Sequence, residues 1–207
     1  MNMRLTIVLL CALIAGPASA QLVVQYPLAL ESSVDELSNG GVVVEVVVDG
    51  TLIHSDTLAL VDAPPAAVFA VVSDFAGQLQ WAPDLTEARV ISGNGQHLIG
   101  EGTTDLAWPF SDRTWQIAIF NRPETHDDKP CYVSSWDYIP GSGDMIENDG
   151  YWLICPWTPD PSRSLVRYVF LADAGVPVPD FIERSVTAQM SPRFIRNLRS
   201  RVLGVQP

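Results

Sequence analysis

The side chains that could do chemistry are few and scattered. His54, His97 and His126 lie far apart, and none has the spacing of a metal-ligand set. Asp127-Asp128, and Asp144 with Glu147, fall among turn residues and read as solvated acids. There is no Gly-x-Ser-x-Gly elbow, no phosphate-binding glycine loop and no cofactor signature, so no catalytic or metal-binding residue is assigned. The polar position that stands out is Arg113. In the strand pattern 113–121, alternation puts it on one face with Trp115, Ile117 and Ile119. A guanidinium buried there needs a carboxylate or a ligand oxygen. Glu101 and Asp105, which share a face of the preceding strand, are the candidate partners. The competing reading is a strand-end arginine that reaches solvent. A paired Arg113 would orient one hydroxyl, carboxyl or head-group oxygen, which is recognition rather than catalysis.

Cysteine usage depends on where the chain resides. Arg4, the apolar run LTIVLLCALIAG and the small-residue pattern Ala18-Ser19-Ala20 form a secretory signal with cleavage expected before Gln21. The run is short for a transmembrane span, and Leu10 before Cys11 argues against the alternative of a lipid-anchored cysteine. Cys131 and Cys155 then remain in an oxidising compartment. With the intervening hairpin centred on Gly143, Cys131 falls opposite Cys155, close enough for a disulfide. A shift of the turn by one residue would leave two independent thiols. Its role would be structural, because no Cys-x-x-Cys is present.

The 207 residues suggest one domain, and 47% hydrophobic content is too apolar for a disordered chain. A net charge of −12 argues against nucleic-acid binding and against simple docking on anionic lipid.

These residues must be positioned by elements, and the pattern suggests which. Residues 1–20 are the signal, 21–39 an extension with a short helix near Ser33, and 40–204 one folded domain. VVVEVVVD and Thr51 to Val61 read as a hairpin about Asp49-Gly50. Asp62-Ala63-Pro64-Pro65 opens a helix with Val68, Phe69, Val72, Phe75 and Leu79 on its apolar face, interrupted at Gly77 so that one helix is followed by a shorter turn of helix, and ended near Trp81. Strands and turns follow to Asp173, without the crossover helices a parallel sheet requires. Asp180 to Gly204 is an amphipathic helix, with stripes Ile182, Val186, Met190 and Phe194, Leu198, Val202, and a kink expected at Pro192. The fold class is α+β, a curved antiparallel sheet wrapped around a long C-terminal helix with a hydrophobic cavity between them.

Layout and motifs resemble the helix-grip superfamily, and within it the START-like lipid-transfer domains. The matching stretches are VDAPPAAVFAVVSDFAGQLQWAPDL, WPFSDRTW and GYWLICPWTPDPSRSLVRYVFLADAGVPVPDFI running into SPRFIRNLR. Thr114 stands where the family usually carries Asp. The resemblance implies a pocket for one lipid-like molecule, such as a sterol, acyl lipid, hopanoid or quinone, usually without chemistry and without a cofactor. Some relatives are polyketide aromatase/cyclases, and a partner-binding module with a filled core is the third reading. Trp81, Glu101, Asp105, Arg113, Trp115, Trp136, Tyr168, Phe181, Val186 and Met190 are the expected ligand contacts. The chain is expected to be an exported monomer; the arginines of its last helix are the candidate surface for transient membrane contact, the competing reading being dipole compensation and solubility.

Overall fold

β-Branched residues form Val42–Asp49 (β1), which folds back on Leu52–Val61 (β2). Asp49 pairs with Leu52, so the loop residues are Gly50 and Thr51, one position later than the Asp49-Gly50 dipeptide suggests. Gly50 takes φ 63°, the left-handed value that a tight hairpin requires at its first loop position. The computed structural model describes residues 33–106, 110–126, 128–176 and 189–204.

Val34–Ser38 (α1) precedes the hairpin, and Pro65–Val72 (α2) follows it. Proline suits the first turn of α2, where the backbone N–H has no helical partner. A short 3-10 helix, Ala76–Gln80, leads into six strands: Leu85–Gly93 (β3), His97–Thr104 (β4), Arg113–His126 (β5), Lys129–Tyr138 (β6), Glu147–Trp157 (β7) and Asp160–Asp173 (β8). Ser191–Leu203 (α3) closes the described chain. The strands form one antiparallel sheet of eight in the order β1-β2-β8-β7-β6-β5-β4-β3, so the last strand returns to lie beside the second. This is the curved sheet with a C-terminal helix that the sequence suggested. β5 runs past Asn121 because β4 stops opposite Phe120. Beyond that point β5 is an edge on that side, where Pro123 is tolerated.

Register sorts the side chains onto two faces. Ala59, Val61, Ile154, Trp152 and Val166 point inward and join Val68 and Val72 of α2 and Ile195 and Leu198 of α3 in one buried cluster. On the outer face, α1 packs Leu37 against Leu60 and Trp157. A further outer cluster holds Val133, Tyr151, Leu153 and Val169. Cys131 belongs to it, disulfide-bonded to Cys155 with the Cα atoms 4.4 Å apart. Tyr132 pairs with Ile154 and Val133 with Leu153, the register that a hairpin centred on Gly143 requires.

The buried stripe of α3 runs through Ser191, Ile195 and Leu198. Its line lies about 100° from that of Met190 and Phe194, which explains two departures from the expected stripe. Ile195 is fully buried, and Met190 is 41% exposed rather than turned toward a ligand. Pro192 lies in the first turn of α3, and the wider π turn at Gln189 and Met190 falls beside it. The expected helical half from Asp180, with its proposed contacts Phe181 and Val186, lies outside the described residues, as do Trp108 and Pro109.

Candidate functional site

The inward face carries a continuous aromatic group drawn from four elements. Trp152 of β7 stacks on Tyr168 of β8, ring centroids 4.2 Å apart, and Trp136 of β6 stacks on Tyr168 at 6.1 Å. Phe170 lies 5.5 Å from Tyr168. From α3, Phe194 descends among Trp81, Trp152 and Tyr168 at 5.2, 5.5 and 5.0 Å. Asn197 fixes the helix there, donating from Nδ2 to the Trp81 carbonyl at 2.9 Å. Three of the expected contacts, Trp81, Trp136 and Tyr168, are thus brought together. Trp115 sits in the neighbouring cluster with Phe75, Ile117 and Leu98, its indole N–H donating to Thr104 Oγ1 at 2.9 Å.

Tyr168 is the informative member. Burial alone pushes its phenol pKa upward, so the group is strongly desolvated. Yet the residue keeps accessible surface and is not fully buried. Trp136, Tyr138 and Phe170 on the same inward face are likewise only partly buried.

The polar expectations fare differently. Arg113 pairs with Thr104 and Trp115 with Gly102, whereas Glu101 pairs with Gln116. Glu101 therefore points to the outer face, away from Arg113. It forms an ion pair with Arg89 and accepts from Gln116 Nε2 at 2.8 Å, and these contacts hold its carboxyl below the usual range. Asp105 lies past the end of β4 and is exposed. Neither acid partners Arg113, which corrects the expected pair. The guanidinium instead donates to main-chain oxygens at the strand end, Ala174 O at 2.9 Å and Ser111 O at 3.0 Å, and to Ser111 Oγ at 2.8 Å. It is the strand-end arginine of the alternative reading. Thr114 next to it is uncharged and donates from Oγ1 to Asp144 Oδ2 at 2.7 Å.

Two of the four helix arginines are committed to structure. Arg199 donates to the carbonyls of Leu60 and Gly40, both at 2.9 Å, and Arg193 pairs with Asp84 at 3.4 Å. Only Arg196 and Arg201 of the four are exposed without either contact. Among the described residues, no group of His, Cys, Asp or Glu could hold a metal ion, and no helix is long and apolar enough to cross a membrane.

Sequence reasoning missed Ser55, Thr57 and Trp152 as inward residues. Alternation had grouped Thr57 with Ala59 and Val61, but period alone does not say which face turns inward. Among the inward positions of the eight strands, Arg113 is the one charged side chain.

Comparison with known proteins agrees with this architecture. The family model described as polyketide cyclase / dehydrase and lipid transport matches residues 61–199. The fold is shared with the STAR-related lipid transfer protein of Xanthomonas axonopodis, at TM-score 0.64 and 20% identity, covering 79% of this chain and 94% of that one. It is also shared with human StAR-related lipid transfer protein 5, at TM-score 0.60 and 14% identity, covering 78% and 86%. The Zhui aromatase/cyclase of Streptomyces sp. R1128 superposes at TM-score 0.50 and 17% identity, covering 74% and 92%. A search of the curated proteins finds no match.

Proposed function

Because the chain belongs to the polyketide cyclase/dehydrase and lipid-transport family, we propose that it binds one lipid-like molecule between the inward face of its sheet and the C-terminal helix. The observation that carries this reading is the aromatic wall itself, in which Tyr168 stacks on Trp152 and Trp136 and meets Phe194 of the helix. Such a wall recognises apolar surface, since burying ~300 Å² of it at ~25 cal/mol/Å² offers several kcal/mol before ordering costs. Catalysis on the same face would need groups that move protons. The inward strand positions supply only Arg113 and tyrosine phenols for that purpose, which supports binding over turnover. The Cys131–Cys155 bridge supports residence in an oxidising compartment, as expected for an exported carrier that works as a monomer.

The test is organic extraction of the purified full chain followed by mass spectrometry, with parallel uptake of fluorescent lipid analogues. A stoichiometric extracted lipid or saturable uptake is expected. A protein that releases no lipid and takes up no analogue would overturn the reading.

A further inference from the structure

Two hydroxyls on the inward face of β2 have no hydrogen-bond partner, Ser55 Oγ and Thr57 Oγ1. Both residues are 0% exposed. Burying a hydroxyl without a partner is costly, and a strand position of this shape is filled at less cost by alanine or valine. The neighbourhood makes that choice everywhere else. Val42, Val44, Val46 and Val48 face inward from β1, and Ala59 and Val61 continue the inward row of β2. Ser55 and Thr57 therefore interrupt an aliphatic surface with two unsatisfied polar atoms.

Register places a third hydroxyl beside them. Tyr168 stands directly across the ladder from Thr57, and Phe170 across from Ser55. Directly opposed residues have Cβ atoms about 5 Å apart, so the three side chains rise from one small area of the sheet. Burial holds the Tyr168 phenol protonated across the physiological range, which keeps it a hydrogen-bond donor.

We propose that Ser55, Thr57 and Tyr168 form the polar end of the cavity and select a neutral lipid, one whose head is a single uncharged hydroxyl or carbonyl oxygen. This rests on the lipid-binding reading above and adds the class of ligand. Hydroxyls both donate and accept, which suits an uncharged oxygen. An ionised carboxylate or phosphate would be desolvated here without a counter-charge. Among the described residues, the one cation at an inward strand position, Arg113, lies on β5, three strands from β8 or roughly 14 Å along the sheet. Its guanidinium is already bound to the Ala174 and Ser111 oxygens. Ser55 and Thr57 are 0% exposed, so binding requires the side chains packed around them to move aside.

The experiment titrates the full chain with 1-decanol, decanoate at about pH 8 and decane, reading tryptophan emission; at that pH the acid is ionised. The wild type should bind decanol about tenfold more tightly than decane or decanoate, the difference a hydrogen bond makes. Tyr168→Phe, and separately the Ser55→Ala, Thr57→Val pair, should each reduce the preference for decanol over decane to about twofold or less, with decane affinity held or raised. Thermal melts should show both variants folded, since neither removes a hydrogen bond of the chain. Equal affinity for decanol and decane, tighter binding of decanoate, or a preference that survives either variant would overturn the inference while leaving the cavity in place. Binding of none of the three probes would instead remove the cavity reading, and this inference with it.

Discussion

The Phe194 ring of α3 lies 5.0 Å from the Tyr168 ring of β8, so the C-terminal helix meets the sheet through aromatic contact at the centre of the inward face. The same ring also touches Trp81 and Trp152. Phe194→Ala would remove the central contact between helix and sheet and leave a void beside Tyr168. Stability should fall by about 2–4 kcal/mol in urea denaturation, because the ring is only half-buried at the start. A loss below about 0.5 kcal/mol would mean that the helix is held elsewhere.

Arg199 offers a polar counterpart. Its guanidinium reaches the carbonyls of Leu60, Gly40 and Gly41 at once, tying α3 to the start of β1 and the end of β2. Lysine has the charge but not the fork, so Arg199→Lys should cost roughly 1–2 kcal/mol. An unchanged denaturation midpoint would show that these bonds are replaced by water without loss.

The Cys131–Cys155 bridge closes a segment with a sequence separation of 24. Constraint of the unfolded chain over that length is worth about 3 kcal/mol. Urea denaturation with and without reductant should differ by that amount. The unreduced, unfolded protein should show no free thiol from these two residues, and thiol labelling of both would refute the pairing.

A pH effect should come from the outer face of β7. Desolvation raises the Glu147 carboxyl pKa, and a hydrogen bond with Asp149 and the charges of Asp149 and Asp173 raise it further. The folded chain holds that proton more tightly than the unfolded chain. Its stabilising contribution is present below the ordinary glutamate pKa and is lost as pH rises through the raised folded value. Glu147→Gln should therefore be more stable than wild type near neutral pH by a few tenths of a kcal/mol, a solvent-screened difference, and the two should converge below about pH 4. A variant less stable than wild type at pH 7 would contradict this sign.

Element order and strand alternation were legible in the sequence, and the cysteine register was legible for a hairpin centred on Gly143, the centre the structure adopts. These follow from local signals: β-branched runs, Gly and Pro at turns, and a hairpin centre that fixes every pair around it. Trp136 and Tyr168 were legible as residues of aromatic faces for the same reason. What the sequence left open was how strands β4 and β5 align and which face turns inward. Glu101 and Arg113 looked like a possible pair, yet their register puts them on opposite faces, because a one-residue change in alignment moves a side chain through the sheet. The stripe of α3 was misplaced by one residue, so Ile195 was missed and Met190 overvalued. Ser55 and Thr57 carried no signal as a site at all. Only the return of β8 alongside β2, a contact between residues more than a hundred positions apart, set Tyr168 opposite Thr57 and gathered three hydroxyls on one apolar wall.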